Sequence, residues 1–105
     1  MKPEVASTLD GIARALKSEY AGRRVDIEGH TDSDPITKSK WNNNHELAVA
    51  RSLAVFAALK QRGVPESQLI VEGYGPNRPL AGDKSKQAKS QNRRVEIVVY
   101  PELAS

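Results

Sequence analysis

Three short polar segments carry the side chains that could do chemistry. The first reads Gly29-His30-Thr31-Asp32, the second runs from Asn44 to Arg51, and the third reads Asn92-Arg93-Arg94. A carboxylate and a guanidinium brought to one cleft would hold a zwitterionic head group, because such a group carries both an ammonium and a carboxylate. The segments include no paired acid and base carboxylates and no nucleophile or metal constellation, so they favour binding over catalysis.

Length and composition predict one small folded domain, residues 1–105. The chain is 38% hydrophobic and 28% charged, which is typical of a globular module and not of disorder. No run approaches the ~20 apolar residues of a membrane span, and Met1-Lys2-Pro3 leads into a helical pattern, so we expect any signal or anchor outside this chain. The absence of cysteine excludes disulfides, and we expect no cofactor.

Hydrophobic periodicity supplies the framework that must position the three segments. The predicted elements are a helix from Pro3 to Ser18, a strand from Val25 to Gly29, a polar loop from His30 to Asn43, a helix from Asn44 to about Arg62, and strands over Leu69 to Tyr74 and Arg94 to Tyr100. Asn44 is the predicted N-cap of the second helix, and Gly63 marks its C-terminal end. A Gly/Pro/Lys-rich connection is expected between the last two strands.

This order predicts an α+β fold, with the helices on one face of a small mixed sheet. The inward residues are expected to be Val5, Leu9, Ile12, Ala13 and Leu16 on the first helix, and Leu47, Ala50, Ala54 and Ala57 or Ala58 on the second. A three-stranded sheet under two helices is thin for a stable domain. We therefore expect that a strand preceding Pro3 is missing from this chain, giving the order (β)-α-β-α-β-β.

The segments, taken in order, resemble the OmpA-like and MotB C-terminal family of peptidoglycan-binding domains. The resemblance rests on Gly29-His30-Thr31-Asp32, Asn44-His45-Glu46-Leu47-Ala48-Val49-Ala50-Arg51 and Asn92-Arg93-Arg94-Val95-Glu96, with Gly73-Tyr74-Gly75 and Pro79 between the second and third. It implies the two-layer OmpA-like sandwich. It also implies a periplasmic or cell-envelope location, in an outer-membrane protein, a lipoprotein or a flagellar stator protein.

The function implied by this resemblance is non-catalytic binding of diaminopimelate in the peptidoglycan stem peptide. The aspartate of the first motif and the arginine of the second, here Asp32 and Arg51, would hold its zwitterionic end. Backbone N–H groups at the start of the second helix would favour a carboxylate ligand. The predicted ligand-binding residues are Asp32, Arg51, Thr31, Asn44, Leu47 and Arg93.

The chain departs from the family pattern in two places. No Phe-Asp-like strand precedes Met1-Lys2-Pro3-Glu4, so we expect part of the binding wall to be absent, and Ala48 replaces the usual small polar residue. In the family the opening strand lies beside the final one. Without it, the run from Val95 to Tyr100 would present an unpaired apolar edge. We therefore expect a homodimer through this strand, or an edge covered by another segment.

Two other functions are considered. A cell-wall hydrolase would act through Glu28, His30 or Asp32, but no acid/base arrangement accompanies them. Nucleic-acid binding is suggested by the net charge of +3 and by a basic cluster, but no nucleic-acid-binding module is recognisable, so we expect no such partner. The cluster comprises Lys84, Lys86, Lys89, Arg93 and Arg94.

Histidine and tryptophan offer further candidates. His30 and His45 do not lie at a metal-ligand spacing, so no metal site is expected, and His30 is interpreted as a packing and hydrogen-bonding residue. Trp41 is either a stacking platform for sugar or peptide, or a residue that fixes the polar loop to the body of the domain. The sequence does not decide between these two roles.

Overall fold

The computed structural model describes residues 2–37, 39–82 and 85–101. Its elements in chain order are α1 (Pro3–Lys17), β1 (Val25–His30), α2 (Asn44–Gln61), one turn of 3₁₀ helix (Glu66–Gln68), β2 (Leu69–Gly75), α3 (Lys86–Asn92) and β3 (Arg94–Val99). The predicted helices and strands are all present, and each ends within one residue of its predicted end. None of the described helices combines the length and the apolar character needed to cross a membrane.

The three strands form one mixed sheet in the order β2-β1-β3. The central strand β1 is parallel to β2 and antiparallel to β3. The register shifts at the end of β1, where His30 is the partner of Gly75. Gly75 has a φ of +59°, a conformation that favours glycine, and a Cβ there would lie 3.0 Å from the ring of His45. The irregularity directs the chain out of the sheet where the polar loop begins.

Helices α1 and α2 cover one face of this sheet, which confirms the predicted α+β class. The core is made of buried apolar residues from both helices, β1 and β2, and partly buried residues of β3 pack against it. It contains Leu9, Ala13, Leu16, Val25, Ile27, Ala58, Leu59, Val64 and Leu69, with Val95 and Ile97 packed against it. Along β1, Val25 and Ile27 face the helices, whereas the alternate residues Asp26 and Glu28 face the other way.

The inward faces of the helices differ from two of the predictions. On α2, Ala54 is exposed, and of the alternatives Ala57 and Ala58 it is Ala58 that is buried; Ala48 and Ser52, which were not predicted, are fully buried. The cause is the close approach of α2 to β1, since a Cβ on Gly29 would lie 2.0 Å from the backbone oxygen of Ala48. The second difference is at the start of α1, where Val5 is 46% exposed.

Helix α3 was not predicted, because the connection was interpreted as a loop. Ser85 caps it by accepting a hydrogen bond from the backbone N–H of Ala88, and Ala88 is buried. Asn92 then fixes the end of the connection: its Oδ1 accepts from the N–H groups of Leu80 and Ala81, and its Nδ2 donates to the Ala81 carbonyl. These contacts set where β3 begins.

Candidate functional site

The candidate site lies where β1 ends and the polar loop begins. Thr31 is held to β2 by a hydrogen bond of 2.9 Å from its N–H to the Gly75 carbonyl. Asp32 is 9% exposed, and its Oδ1 accepts from the Asp34 N–H at 3.0 Å in a local turn. The backbone therefore fixes the Asp32 carboxylate at the edge of the sheet, one residue beyond the last strand contact.

The third motif returns to this point and supplies an arginine to Asp32. Arg93 Nη1 donates to Asp32 Oδ2 at 2.6 Å, although the two residues are far apart in sequence. The Arg93 side chain is 43% exposed, whereas the Asp32 side chain is only 12% exposed. The structure thus brings together two of the predicted ligand residues, with the anion enclosed and the cation open to solvent.

Arg51 lies at the same end of β1 but does not pair with Asp32. Its Nη1 donates to the carbonyl oxygen of His30 at 3.3 Å, and the residue is half-buried. No ion pair joins Arg51 to an acid within the part of the chain that the structure describes. A guanidinium has five N–H donors, so most of the hydrogen-bonding capacity of Arg51 remains for a ligand.

The predicted N-cap of α2 is wrong by one residue. Asn43, not Asn44, has the extended backbone of an N-cap, and its side chain accepts from the Glu46 N–H at 2.9 Å. Asn44 instead donates from Nδ2 to the carbonyls of Asp34, at 3.0 Å, and Asp32, at 3.4 Å. Three consecutive asparagines left this choice open in the sequence. Asn44 therefore links the helix to the loop that carries Asp32.

A second ion pair docks α3 on the same loop. Lys89 Nζ lies 2.9 Å from Asp34 Oδ2. With Arg93 bound to Asp32 and Arg94 to Glu96, three members of the predicted basic cluster have acidic partners. Lys84 lies outside the described residues. The described part of this cluster is thus largely compensated, which weakens the case for a surface that binds nucleic acid.

A cleft of about 350 Å³ opens between the polar loop, the start of α2 and the residues after β2. Its lining consists of Ser33, Pro35, Ile36, Asn42, Asn43, Asn44, His45 and Pro76. Of the predicted ligand residues, Asn44 alone belongs to this described lining, and Leu47 is half-buried one turn further along α2. Pro76 and Ile36 were not among the predicted site residues. Their proximity depends on the return of the chain after Gly75, which no motif encodes.

Trp41 lies beside a second groove, on the outer surface of α2. The groove is lined by Trp41, His45, Glu46, Val49, Ala50 and Leu53. Val49 and Leu53 are 38% and 49% exposed, and the Lys40 ammonium lies 4.9 Å from the centre of the Trp41 ring. Trp41 thus packs near α2 while sharing an open apolar surface, which is compatible with both predicted roles.

A small α+β domain with an enclosed carboxylate and a partly unpaired guanidinium at the carboxyl end of its central strand is the class that the geometry defines. The sequence model of the OmpA family matches residues 1–93, and the chain belongs to this family. The match ends before β3. The family predicted from the three motifs is therefore confirmed.

Individual relatives agree with this assignment. The chain is 39% identical over 101 residues to the probable lipoprotein YiaD of Escherichia coli strain K12, covering 96% of this chain and 44% of that protein. It is 39% identical over 97 residues to the peptidoglycan-associated lipoprotein of Pseudomonas aeruginosa, covering 92% and 54%. The crystal structure of the C-terminal domain of Helicobacter pylori MotB superposes with a TM-score of 0.91 at 27% identity, covering 98% and 78%. The chain thus spans about half the length of these curated relatives.

Proposed function

We propose that this domain binds peptidoglycan without cleaving it, through the diaminopimelate of the stem peptide, and so anchors an envelope protein to the cell wall. The observation that carries the proposal is the arrangement around Asp32, where an enclosed carboxylate lies at the end of the strand whose last carbonyl binds Arg51. The name of the Pseudomonas relative, a peptidoglycan-associated lipoprotein, supports the choice of polymer.

In the proposed complex, the ammonium of the diaminopimelate end is bound by Asp32. The carboxylate of the same head group is bound by the free donors of Arg51, because a guanidinium and a carboxylate form paired hydrogen bonds. The Arg93–Asp32 contact does not prevent this, since the Arg93 side chain is 43% exposed and hydrogen-bonds only one of the two carboxylate oxygens of Asp32. Arg93 can therefore share Asp32 with the ligand or turn toward its carboxylate. Thr31, Asn44 and Leu47 complete the proposed pocket.

We assign no catalytic step to the residues of this site. A hydrolase needs a carboxyl group positioned as acid or base, with its proton free to move. Asp32 and Asp34 are instead occupied by Arg93 and Lys89, and Asp32 also closes a backbone turn. Incubation with labelled sacculi should therefore release no soluble fragments.

A peptide titration tests the proposed ligand. Stem peptides containing diaminopimelate should bind more tightly than peptides with lysine at the same position, because lysine lacks the second carboxylate that Arg51 would read. One charge-assisted hydrogen bond is worth ~1.5–3 kcal/mol, so an affinity difference of about 10-fold or more is expected by calorimetry. Equal affinities would show that Arg51 does not bind this carboxylate.

We also propose an envelope location and pairing of the outer edge of β3. Within the described ranges β3 pairs with β1 alone, and Val95, Ile97 and Val99 make it apolar and prone to pair with another strand. A second copy of the chain, or another segment, would cover this edge. Light scattering over a concentration series should show a monomer–dimer transition, and a charged substitution, Val98→Lys, should shift it to higher concentration. A monomer at every concentration would argue against the dimer.

A further inference from the structure

The face of the sheet opposite the helices carries a group of acids around a buried histidine. Glu28 and His30 point to this face from β1, and Glu96 is the cross-strand partner of Glu28 on β3. His30 Nε2 lies 3.9 Å from Glu28 Oε1 and 3.8 Å from Glu96 Oε2. One ligand atom from each of the three residues lies within 4.8 Å of the other two. Three metal-ligating groups therefore converge at one point.

The buried side chain of His30 is a second, independent indication that a ligand binds here. It is 1% exposed, and neither ring nitrogen makes a hydrogen bond to any residue in the described ranges. Tyr74 stacks on the ring, with centroids 5.3 Å apart and planes 12° apart, which packs the ring without a polar contact. The sequence interpretation of His30 was therefore right about packing and wrong about hydrogen bonding. A buried polar atom without a partner is unfavourable and calls for an explanation.

A protonated imidazole between two carboxylates is the simplest alternative. Both carboxylate oxygens are beyond hydrogen-bond distance of Nε2. Burial lowers the pKa of His30, and the charge of Arg94 lowers it further. Burial also raises the pKa of Glu28, with the charge of Glu96 adding to the effect. Neither carboxylate therefore holds the ring as a hydrogen-bonded imidazolium, whereas a neutral imidazole offers a lone pair that can bind a metal.

Two arginines face the same cluster and must be included in its charge balance. Arg94 Nε donates to Glu96 Oε2, and Arg94 Nη2 donates to the Arg78 carbonyl. Arg78 in turn lies over the Tyr74 ring at 4.1 Å. The four acids of this face are Asp26, Glu28, Glu72 and Glu96, and only three positive charges face them, those of Arg24, Arg78 and Arg94. The excess of acid leaves the face able to accept a cation.

We propose that Glu28, His30 and Glu96 bind one divalent transition-metal ion, for which Zn²⁺ is the best match. Zn²⁺ takes nitrogen and oxygen ligands at about 2.0–2.2 Å, so neighbouring ligand atoms in a tetrahedral shell are about 3.4 Å apart. The separations of 3.9 and 3.8 Å from His30 Nε2 need a contraction of about 0.5 Å to reach this geometry, and the two carboxylate oxygens, which lie within 4.8 Å of each other, must approach by at most about 1.4 Å. Glu96 can supply it, because its side chain is 41% exposed on an edge strand.

The ligand set distinguishes between classes of ion. Mg²⁺ and Ca²⁺ prefer shells made of oxygen, whereas a site with an imidazole suits Zn²⁺ and its transition-metal neighbours. The ion would join β3 to β1 and fix His30, whose carbonyl accepts from Arg51. The metal site lies on the opposite face of the sheet from the helices, and metal binding there does not depend on peptidoglycan binding.

Titration of the tag-free, chelator-treated chain with ZnCl₂ tests the site by calorimetry. We expect one Zn²⁺ per chain, a melting temperature raised by several degrees in excess Zn²⁺, and no comparable effect of Mg²⁺ or Ca²⁺. Glu28→Gln and Glu96→Gln keep the side-chain shape and should each weaken Zn²⁺ binding at least about 10-fold. The control variants Glu66→Gln and His45→Gln, which remove an exposed acid and the other histidine, should bind as the unaltered chain does.

Two results of this titration would exclude the proposed Zn²⁺ site. Failure to bind Zn²⁺, or equal affinity in the unaltered chain, Glu28→Gln and Glu96→Gln, would overturn it, since binding would then be adventitious. Loss of binding in His45→Gln would move the site to the other histidine. If Glu28→Gln fails to fold, the edge-strand variant Glu96→Gln and a Zn²⁺-dependent shift of the His30 ring resonances in NMR spectra give the same decision.

Discussion

Both ends of β1 carry an aspartate and an arginine, but the charges are fully paired at its start and only partly paired at its end. At its start, the Arg24 guanidinium donates to both carboxylate oxygens of Asp26, at 2.8 and 3.0 Å, and the Tyr100 hydroxyl donates to Asp26 at 2.9 Å. Arg24 also lies 4.4 Å from the centre of the Tyr100 ring. Each charge here has a geometric partner within the domain. The start of β1 is therefore a closed network that holds the last strand to the first.

At the end of β1 the charges are only partly matched. Asp32 is paired with a half-exposed Arg93, Arg51 makes one long hydrogen bond to the His30 carbonyl, and the His30 ring makes none to the described residues. Burial alone does not distinguish the two ends, since Asp26 is more buried than Asp32. What distinguishes the two ends is unused hydrogen-bonding capacity, which a ligand can satisfy.

The largest expected effect is on peptidoglycan binding, which should be lost when charged residues near the end of β1 are replaced. Asp32→Ala and Arg51→Ala should each reduce cosedimentation with purified sacculi to background, because losing one partner of an enclosed charge pair costs ~2–5 kcal/mol, about 30-fold or more in affinity. The matched control Asp10→Ala removes an aspartate whose ion pair with Arg62 lies on the helical side, and it should bind normally. Unchanged cosedimentation of both site variants would refute the proposed function.

The next largest effect is on the free energy of unfolding and its pH dependence, to which Asp26 at the start of β1 should contribute. The Arg24 guanidinium holds the pKa of Asp26 at about 2, below its ordinary 3.8, with Tyr100 contributing. A depressed pKa adds stability that is present above about pH 4 and is lost as the pH falls toward 2. Asp26→Asn should therefore lower the free energy of unfolding by about 1–2 kcal/mol at pH 7, and the difference should shrink between about pH 4 and 2.

Urea denaturation across this range measures the difference. Asp10→Asn is the control, because its carboxylate is 57% exposed and its loss should matter little at any pH. A destabilisation by Asp26→Asn that stays constant from pH 7 to 2 would mean that Asp26 acts through shape alone. Loss of sacculus binding by folded Asp26→Asn would contradict the division between the two ends.

Sequence periodicity predicted the long elements well because their apolar faces are distinct. It did not predict α3, because the connection is rich in Gly, Pro and Lys and has no distinct apolar face. This short helix depends instead on the Ser85 cap and on burial of Ala88. On α2, where alanines lie on all sides, it was wrong for Ala54 and did not predict the burial of Ala48 and Ser52. There the orientation follows from the absence of a side chain on Gly29, which is a tertiary contact.

The candidate site was predictable in its residues but not in its pairing. The order of the three motifs indicated that Asp32, Arg51 and Arg93 belong together. The partners of each, Arg93 for Asp32 and the His30 carbonyl for Arg51, depend on the path of the polar loop and of the connection after β2. No local pattern encodes such paths, since their contacts join residues far apart in sequence.

The smallest expected effect concerns the two asparagines at the start of α2, which the structure assigns to different roles. Asn43→Ala removes the N-cap and should lower the free energy of unfolding by about 1 kcal/mol while folded protein still binds sacculi. Asn44→Ala frees the loop that carries Asp32 and should weaken sacculus binding with a smaller loss of stability. Urea denaturation and cosedimentation separate these effects. The reverse pattern would mean that α2 begins one residue later, with Asn44 as its cap.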